Sequence, residues 1–176
     1  KNFTDYLNKA ASEDWKDEAA EEFPSENSGE AAQGTDGVVS LVSETDGAIG
    51  YADASAVADD LGTAKIKVGE DFVEYTPEAA AKVVDASPVA EGRGEGDIAV
   101  ELKRDTEEAG AYPIVLVSYH IVCSSYDSQE KVDLVKAWEN FVVSEEGQES
   151  AAESAGSAPI SSEMRDKITS VLDKIE

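Results

Sequence analysis

Residues 110–124, GAYPIVLVSYHIVCS, are the most apolar run in the chain. Between Tyr112 and Cys123 only His120 can carry a charge, although 39 acidic and 14 basic residues stand among the 176. Val, Ile, Leu and Tyr dominate, the composition of a strand buried on both faces of a sheet. Pro113 lies near the start, where a missing N–H is tolerated. The run is therefore expected to be a central strand, with covering elements on both sides.

The length suits one domain or two small lobes. A chain of this size buries about 70% of its unfolded surface, so it needs no disulfide to hold a core. Cys123 is the only cysteine and falls inside the apolar run, where it reads as a small core residue. The net charge of −25 argues against nucleic acid and anionic membrane surfaces as partners, since both require clustered Lys and Arg. It gives a heavily solvated surface, of the kind suited to salt or secretion. Calcium is not expected, because no D-x-D-x-D-G loop is present. No stretch is long enough to span a membrane, and no basic-then-apolar leader opens the sequence. The chain starts on Lys1 and Asn2 without a Met, which reads as a fragment or a processed chain.

Along the chain, Phe3, Tyr6 and Leu7 mark one face of a first helix. Trp15 and Phe23 bracket an acidic stretch ending at Pro24, and residues 25–34 read as a loop. Thr35 or Asp36 is expected to cap a helix carrying Val38, Val39, Leu41 and Val42. A turn at residues 45–47, a short strand over 48–52 and a helix over 55–61 follow. Alternation over 65–68 and 72–75, with Gly69 between, predicts a hairpin. Thr76 and Pro77 open a helix reaching about Asp85 as N-cap and first residue. Residues 87–97 form a loop, 98–102 a short strand or extended piece, and 105–109 a turn or short helix.

A helix starting near Ser128 or Gln129 should bury Leu134, Trp138, Phe141 and Val142. Gly147 is a candidate break in it, and the segment from Gly156 to Pro159 ends it. The last helix, capped by Ser161 or Ser162, carries the stripe Met164, Ile168, Val171, Leu172 and Ile175.

Catalytic motifs are sparse. His120 is the only histidine, which excludes His-rich metal sites, and its apolar setting suits a satisfied core or pocket-edge role. There is no G-x-S-x-G, CxxC, HExxH or P-loop. The GRGEG run at 92–96 lacks a preceding strand and a following Lys-Ser/Thr pair, and its two glutamates would repel an anion. The residues alone point to an acidic α/β domain that binds rather than catalyses.

Six stretches, taken in order, add to this reading: NFTDYL at 2–7, GTDGVVSLV at 34–42, GAIGYADAS at 47–55, YPIVLVSYHIVC at 112–123, KAWENFVVSEEGQ at 136–148 and GSAPISSEMRDKI at 156–168. As an ordered set the chain resembles the phosphate-binding protein of the bacterial phosphate ABC transporter, in its actinobacterial style. The resemblance implies the α/β type II periplasmic-binding-protein fold, with two lobes joined by crossing strands and closing on one inorganic phosphate. Residues 1–110 would form most of the second lobe, and residues 111–176 would return to complete the first. It further implies an extracytoplasmic, monomeric protein, periplasmic or anchored as a cell-surface lipoprotein, that hands phosphate to permease subunits without a cofactor or metal and is not an enzyme.

The family's phosphate ligands, a Ser-Gly-Thr loop with an Arg before it and an Asp that accepts a phosphate proton, would lie upstream of Lys1. The chain therefore looks like the C-terminal portion, with Lys1 and Asn2 nearest the pocket. The rival functions are a phosphatase of similar fold and a purely structural acidic domain acting in salt. For the former only Cys123 with His120 could serve, and their i, i+3 spacing on a strand places them on opposite faces.

Overall fold

A computed structural model describes residues 1–27 and 29–176. The loop expected over 25–34 includes Ser28, which lies outside the described residues. The chain is α/β, with six α-helices and one β-hairpin among the described residues: α1 (Asn2–Ala10), α2 (Gly34–Glu44), β1 (Ile66–Val68), β2 (Asp71–Val73), α3 (Pro77–Asp85), α4 (Gln129–Val143), α5 (Glu145–Ala155) and α6 (Ser162–Leu172).

The best-defined local structure follows from turn and cap chemistry. Strands β1 and β2 pair antiparallel, Ile66 opposite Val73 and Val68 opposite Asp71. Gly69 turns the hairpin at φ +58°, a conformation that favours glycine. Thr76 caps α3, its hydroxyl accepting the Ala79 N–H at 3.1 Å, and Pro77 occupies the first turn where its missing N–H costs nothing. Val68, Val73 and Ala79 form one small core, with Ile66 and Tyr112 packed on it. Tyr112 is pinned there by its N–H, which donates to the Ala79 carbonyl at 2.9 Å. The Thr76→Ala variant is expected to lose about 1 kcal/mol, read as a lower urea midpoint with unchanged slope.

The second core is helical. Val132 of α4 meets Leu172 and Ile175 at the end of α6, with Tyr126, Val135 and Ile168 around them. Ser128 and Ser161 cap α4 and α6 through the N–H groups of Lys131 and Met164. Between α4 and α5 the break falls at Ser144, whose hydroxyl accepts the Gly147 N–H at 3.1 Å, not at Gly147 itself. Gly156 ends α5 in the left-handed conformation at φ +64°.

Several expectations are corrected. Residues 112–123 form no strand. The stretch runs without a strand partner, with Leu116 77% and Ile121 95% exposed, and Cys123 is exposed rather than in a core. A strand is completed by neighbours, and none of the described strands lies beside this one. Residues 48–52 form no strand either, for the same reason, and Ile49 is exposed.

The helix expected over 55–61 shrinks to a single 3-10 turn, Ala54–Ala56. There the Asp53 carboxylate accepts both the N–H and the hydroxyl of Ser55 at 3.0 and 2.6 Å, a local bond that competes with helix propagation. Helix α2 begins at Gly34 behind Gln33, which makes no side-chain cap bond, so Thr35 and Asp36 sit inside its first turn. In α4 the period is right but the facing is not. Leu134, Trp138 and Phe141 are exposed, while Val132, Glu139 and Val143 are buried.

The accessible surface is 12,088 Å². A folded monomer of 18.6 kDa presents about 8,200 Å². The chain thus exposes about 3,900 Å² more surface than a compact monomer of its mass.

Candidate functional site

Helix α1 begins at Asn2 with Lys1 as its N-cap residue, and Lys1 makes no side-chain cap bond. Its first-turn N–H groups carry the positive end of the helix dipole, and the Asp5 carboxylate stands in the same turn. Thr4, 2% exposed, fixes the helix from one side: its hydroxyl donates to the Ala20 carbonyl at 2.6 Å and accepts the Ala20 N–H at 3.0 Å. Phe3 stacks on Tyr51 with ring centroids 4.3 Å apart, and Phe23 and Trp15 extend that aromatic group.

Arg104 holds the other side. It is 4% exposed, the most buried charged residue among those described. Its Nη1 donates to the carbonyls of Pro113 and Val115 at 2.8 and 3.0 Å. Nη2 donates to the Asn2 side-chain oxygen, and Nε reaches Asp5 Oδ2 at 3.4 Å. Burial pulls the guanidinium below its ordinary pKa and Asp5 opposes the shift, yet an arginine stays charged. One planar fork thus fastens the first turn of α1 to the start of the apolar run.

Two clefts open beside this clamp. One, of about 300 Å³, is lined by Asn2, Asp5, Arg104, Leu116 and Tyr119 among others. The other, of about 210 Å³, has Tyr6, Lys9, Lys67, Arg104 and Thr106 in its wall. Burial raises the Tyr6 phenol above its usual pKa, so it remains a neutral donor. Lys9 is tied to Asp5 at 3.4 Å.

Of the two residues predicted nearest the pocket, Lys1 is exposed at the helix end, and Asn2 is half-buried with its oxygen taken by Arg104. His120 sits at a surface rather than in a core. Its Nδ1 lies 2.9 Å from Glu139 Oε2, and Glu139 is buried on α4. Cys123 is not part of that pair; its N–H donates to the Tyr126 hydroxyl at 3.0 Å. Arg93 of the GRGEG run is bound to Asp97 at 2.7 Å. Among the described residues no group of three or more His, Cys, Asp or Glu is placed to hold a metal ion. The sequence reading passed over Arg104 and Glu139. Arg104 had a signal, since Lys103-Arg104 is the only pair of adjacent cations in the chain.

Comparison with known proteins places these features in context. Residues 1–146 match the family model described as a PBP superfamily domain. The chain is 32% identical over 183 aligned positions to the phosphate-binding protein PstS2 of Mycobacterium bovis BCG, covering 99% of this chain and 47% of that protein. It is 34% identical over 146 positions to phosphate-binding protein PstS 3 of Mycobacterium leprae, covering 78% and 38%. Phosphate-binding protein PstS 3 of Mycobacterium tuberculosis H37Rv is 30% identical over 183 positions, with 99% and 47% covered. The chain spans about half the length of the curated relatives it matches. No solved structure gives a significant match.

Proposed function

We propose, from the premise that this chain belongs to the PBP superfamily, that it is part of a solute-binding protein that captures inorganic phosphate outside the cytoplasm. In this reading it delivers phosphate to the permease subunits of an ABC transporter and catalyses nothing. The observation that carries it is the similarity to proteins named phosphate-binding over 99% of the chain. Residues 1–110 belong to one lobe and residues 111–176 return to the other. The protein is periplasmic or a surface lipoprotein; among the described residues no helix is long and apolar enough to cross a membrane.

The geometry of α1 supports the same reading. Its N-terminus offers main-chain donors and Lys1, held in place by Arg104 and Thr4. The net charge of −25 does not forbid an anion, because exposed charges more than about 8–10 Å away are screened at physiological salt while the helix end acts at contact range. It does slow electrostatic capture. His120 contacts Glu139 and the Cys123 N–H donates to the Tyr126 hydroxyl, so no hydrogen bond joins His120 to Cys123.

Calorimetric titration of phosphate tests the reading. This chain by itself is expected to give little or no heat, because one helix end supplies too few donors to outcompete water for phosphate. Joined to the portion of M. bovis BCG PstS2 that the alignment leaves uncovered, it is expected to bind phosphate at micromolar concentration or below. Micromolar binding by the chain alone would contradict the ligand account. Absence of binding by the joined, folded protein would overturn the function.

A further inference from the structure

We propose that the cleft between the flank of α1, the hairpin turn and residues 104–107 is a binding site for a small free oxyanion, with Tyr6, Lys9, Lys67 and Thr106 as its donors. Lys9 lies about 10 Å along the helix from Asn2, so the site is separate from the start of α1. It goes beyond the reading above and stands independently of it.

The first observation is charge. The cleft holds about 210 Å³, and its wall carries three cations, Lys9, Lys67 and Arg104, against two acids. In the whole chain acids outnumber bases 39 to 14. Three elements bring these cations together. Tyr6 and Lys9 stand three residues apart on α1 and so share a face. Arg104 and Thr106 form the floor, and Lys67 comes from β1. The hairpin register leaves Lys67 unpaired: it lies opposite Phe72, while its neighbour Lys65 meets Glu74 at 2.6 Å. Gly69 lets the turn close on the floor, since a Cβ there would stand 3.5 Å from the Glu107 carbonyl oxygen.

The second observation is a set of unspent donors. Among the described residues the Tyr6 hydroxyl makes no hydrogen bond, and burial keeps it protonated. Thr106 is 6% exposed and accepts the Glu108 N–H at 3.1 Å, but its own hydroxyl proton goes to no acceptor among them. Lys9 spends one contact on Asp5 at 3.4 Å and keeps its remaining protons. Arg104 spends its fork on four acceptors and adds mainly charge. Asp105 and Glu107 are exposed at the rim, and neither pairs with Lys9 or Lys67. Hydroxyl and ammonium donors that converge without an acceptor favour a ligand that is acceptor-rich and negative.

The third observation is size. The volume falls below the roughly 300 Å³ at which pockets for drug-sized ligands begin, which excludes a nucleotide and suits an ion. The net charge of −25 opposes an anionic membrane surface as the source. The occupant is therefore a small oxyanion from solution, of the class of inorganic phosphate or sulfate. With two lysines half open to water, the expected Kd is about 1–10 mM. That is about 1,000-fold weaker than the micromolar binding that tests the function above, so the two signals do not overlap.

A two-dimensional amide NMR titration of this chain with sodium phosphate, and separately with sodium sulfate, tests the site, with sodium chloride holding ionic strength constant. The amides of Lys67, Gly69, Thr106 and Glu107 are expected to shift and saturate. Tyr6→Phe should weaken binding about threefold and Lys67→Glu about tenfold or more. Lys67→Gln, which keeps the strand and removes only the charge, should weaken it as well and serves if the reversed charge disturbs the hairpin. Lys16→Glu changes net charge equally outside the cleft and should leave Kd within about twofold.

Shifts confined to residues 2–5 would place the anion at the start of α1 and overturn the proposal. Shifts that stay linear to about 50 mM would mean that no site exists. Equal weakening by Lys16→Glu and Lys67→Glu would reduce the effect to overall charge. The two proposals fail separately. Saturation at 67–107 without micromolar binding by the joined protein keeps this site and rejects the function; the opposite result does the reverse.

Discussion

Replacing Arg104 with alanine is expected to destabilise the chain by about 3 kcal/mol, at the lower end of the cost of breaking a buried charged pair. The substitution removes donors from four acceptors at once: the Pro113 and Val115 carbonyls, the Asn2 amide oxygen and the Asp5 carboxylate. Pro113 is among the fully buried side chains, so its carbonyl has little access to replacement water. Arg104→Lys should recover only a small part, because an ammonium is a point charge and cannot span two carbonyls on one side and a carboxamide on the other. The check is thermal unfolding. At about 2–4 °C per kcal/mol for a chain of this size, Tm should fall by roughly 6–12 °C. A shift under about 2 °C would mean that the clamp is not a structural element.

Gly147→Ala is the second large effect, and its sign runs against helix propensity. In an open helix alanine gains about 1 kcal/mol over glycine. Here an added Cβ would overlap the Phe141 carbonyl oxygen and come within 3.0 Å of the Phe141 carbonyl carbon and the Val142 oxygen. These are backbone atoms at the end of α4, so they cannot rotate away as a side chain could. The junction must open, and the Ser144 cap that receives the Gly147 N–H opens with it. Overpacking of this kind costs about 1–3 kcal/mol, and loss of the cap about 1 more. A net loss near 2 kcal/mol is expected in urea unfolding; a stabilised variant would refute the close approach.

What could be read from the sequence and what could not divide along a physical line. Thr76-Pro77, Ser128, Ser161, Gly69 and Gly156 act on atoms within a few residues, and each sets its helix or turn end as its chemistry dictates. The strands expected at 48–52 and 112–123 depend on neighbours that composition does not specify, and here the described residues supply none. For α4 the period was legible but the facing was not. Leu134, Trp138 and Phe141 recur at helical spacing, yet the described residues leave all three exposed. Helix α1 was readable from Phe3, Tyr6 and Leu7, whereas the partners of Arg104 were not, because they are remote in sequence.

That remoteness has a consequence for the order of assembly. Arg104 is separated from Asp5 by 99 positions and from Asn2 by 102. Contacts of such span close late, since the chain entropy lost in forming the loop precedes any gain from the contact. Helix α1 can form early from its own residues, but its first turn is fixed only after position 104 has been made and folded back. During synthesis the end of α1 that would meet an anion stays loose while the hairpin and α3 are already local structures. The first turn of α1 is thereby among the last parts of the molecule to acquire a fixed shape.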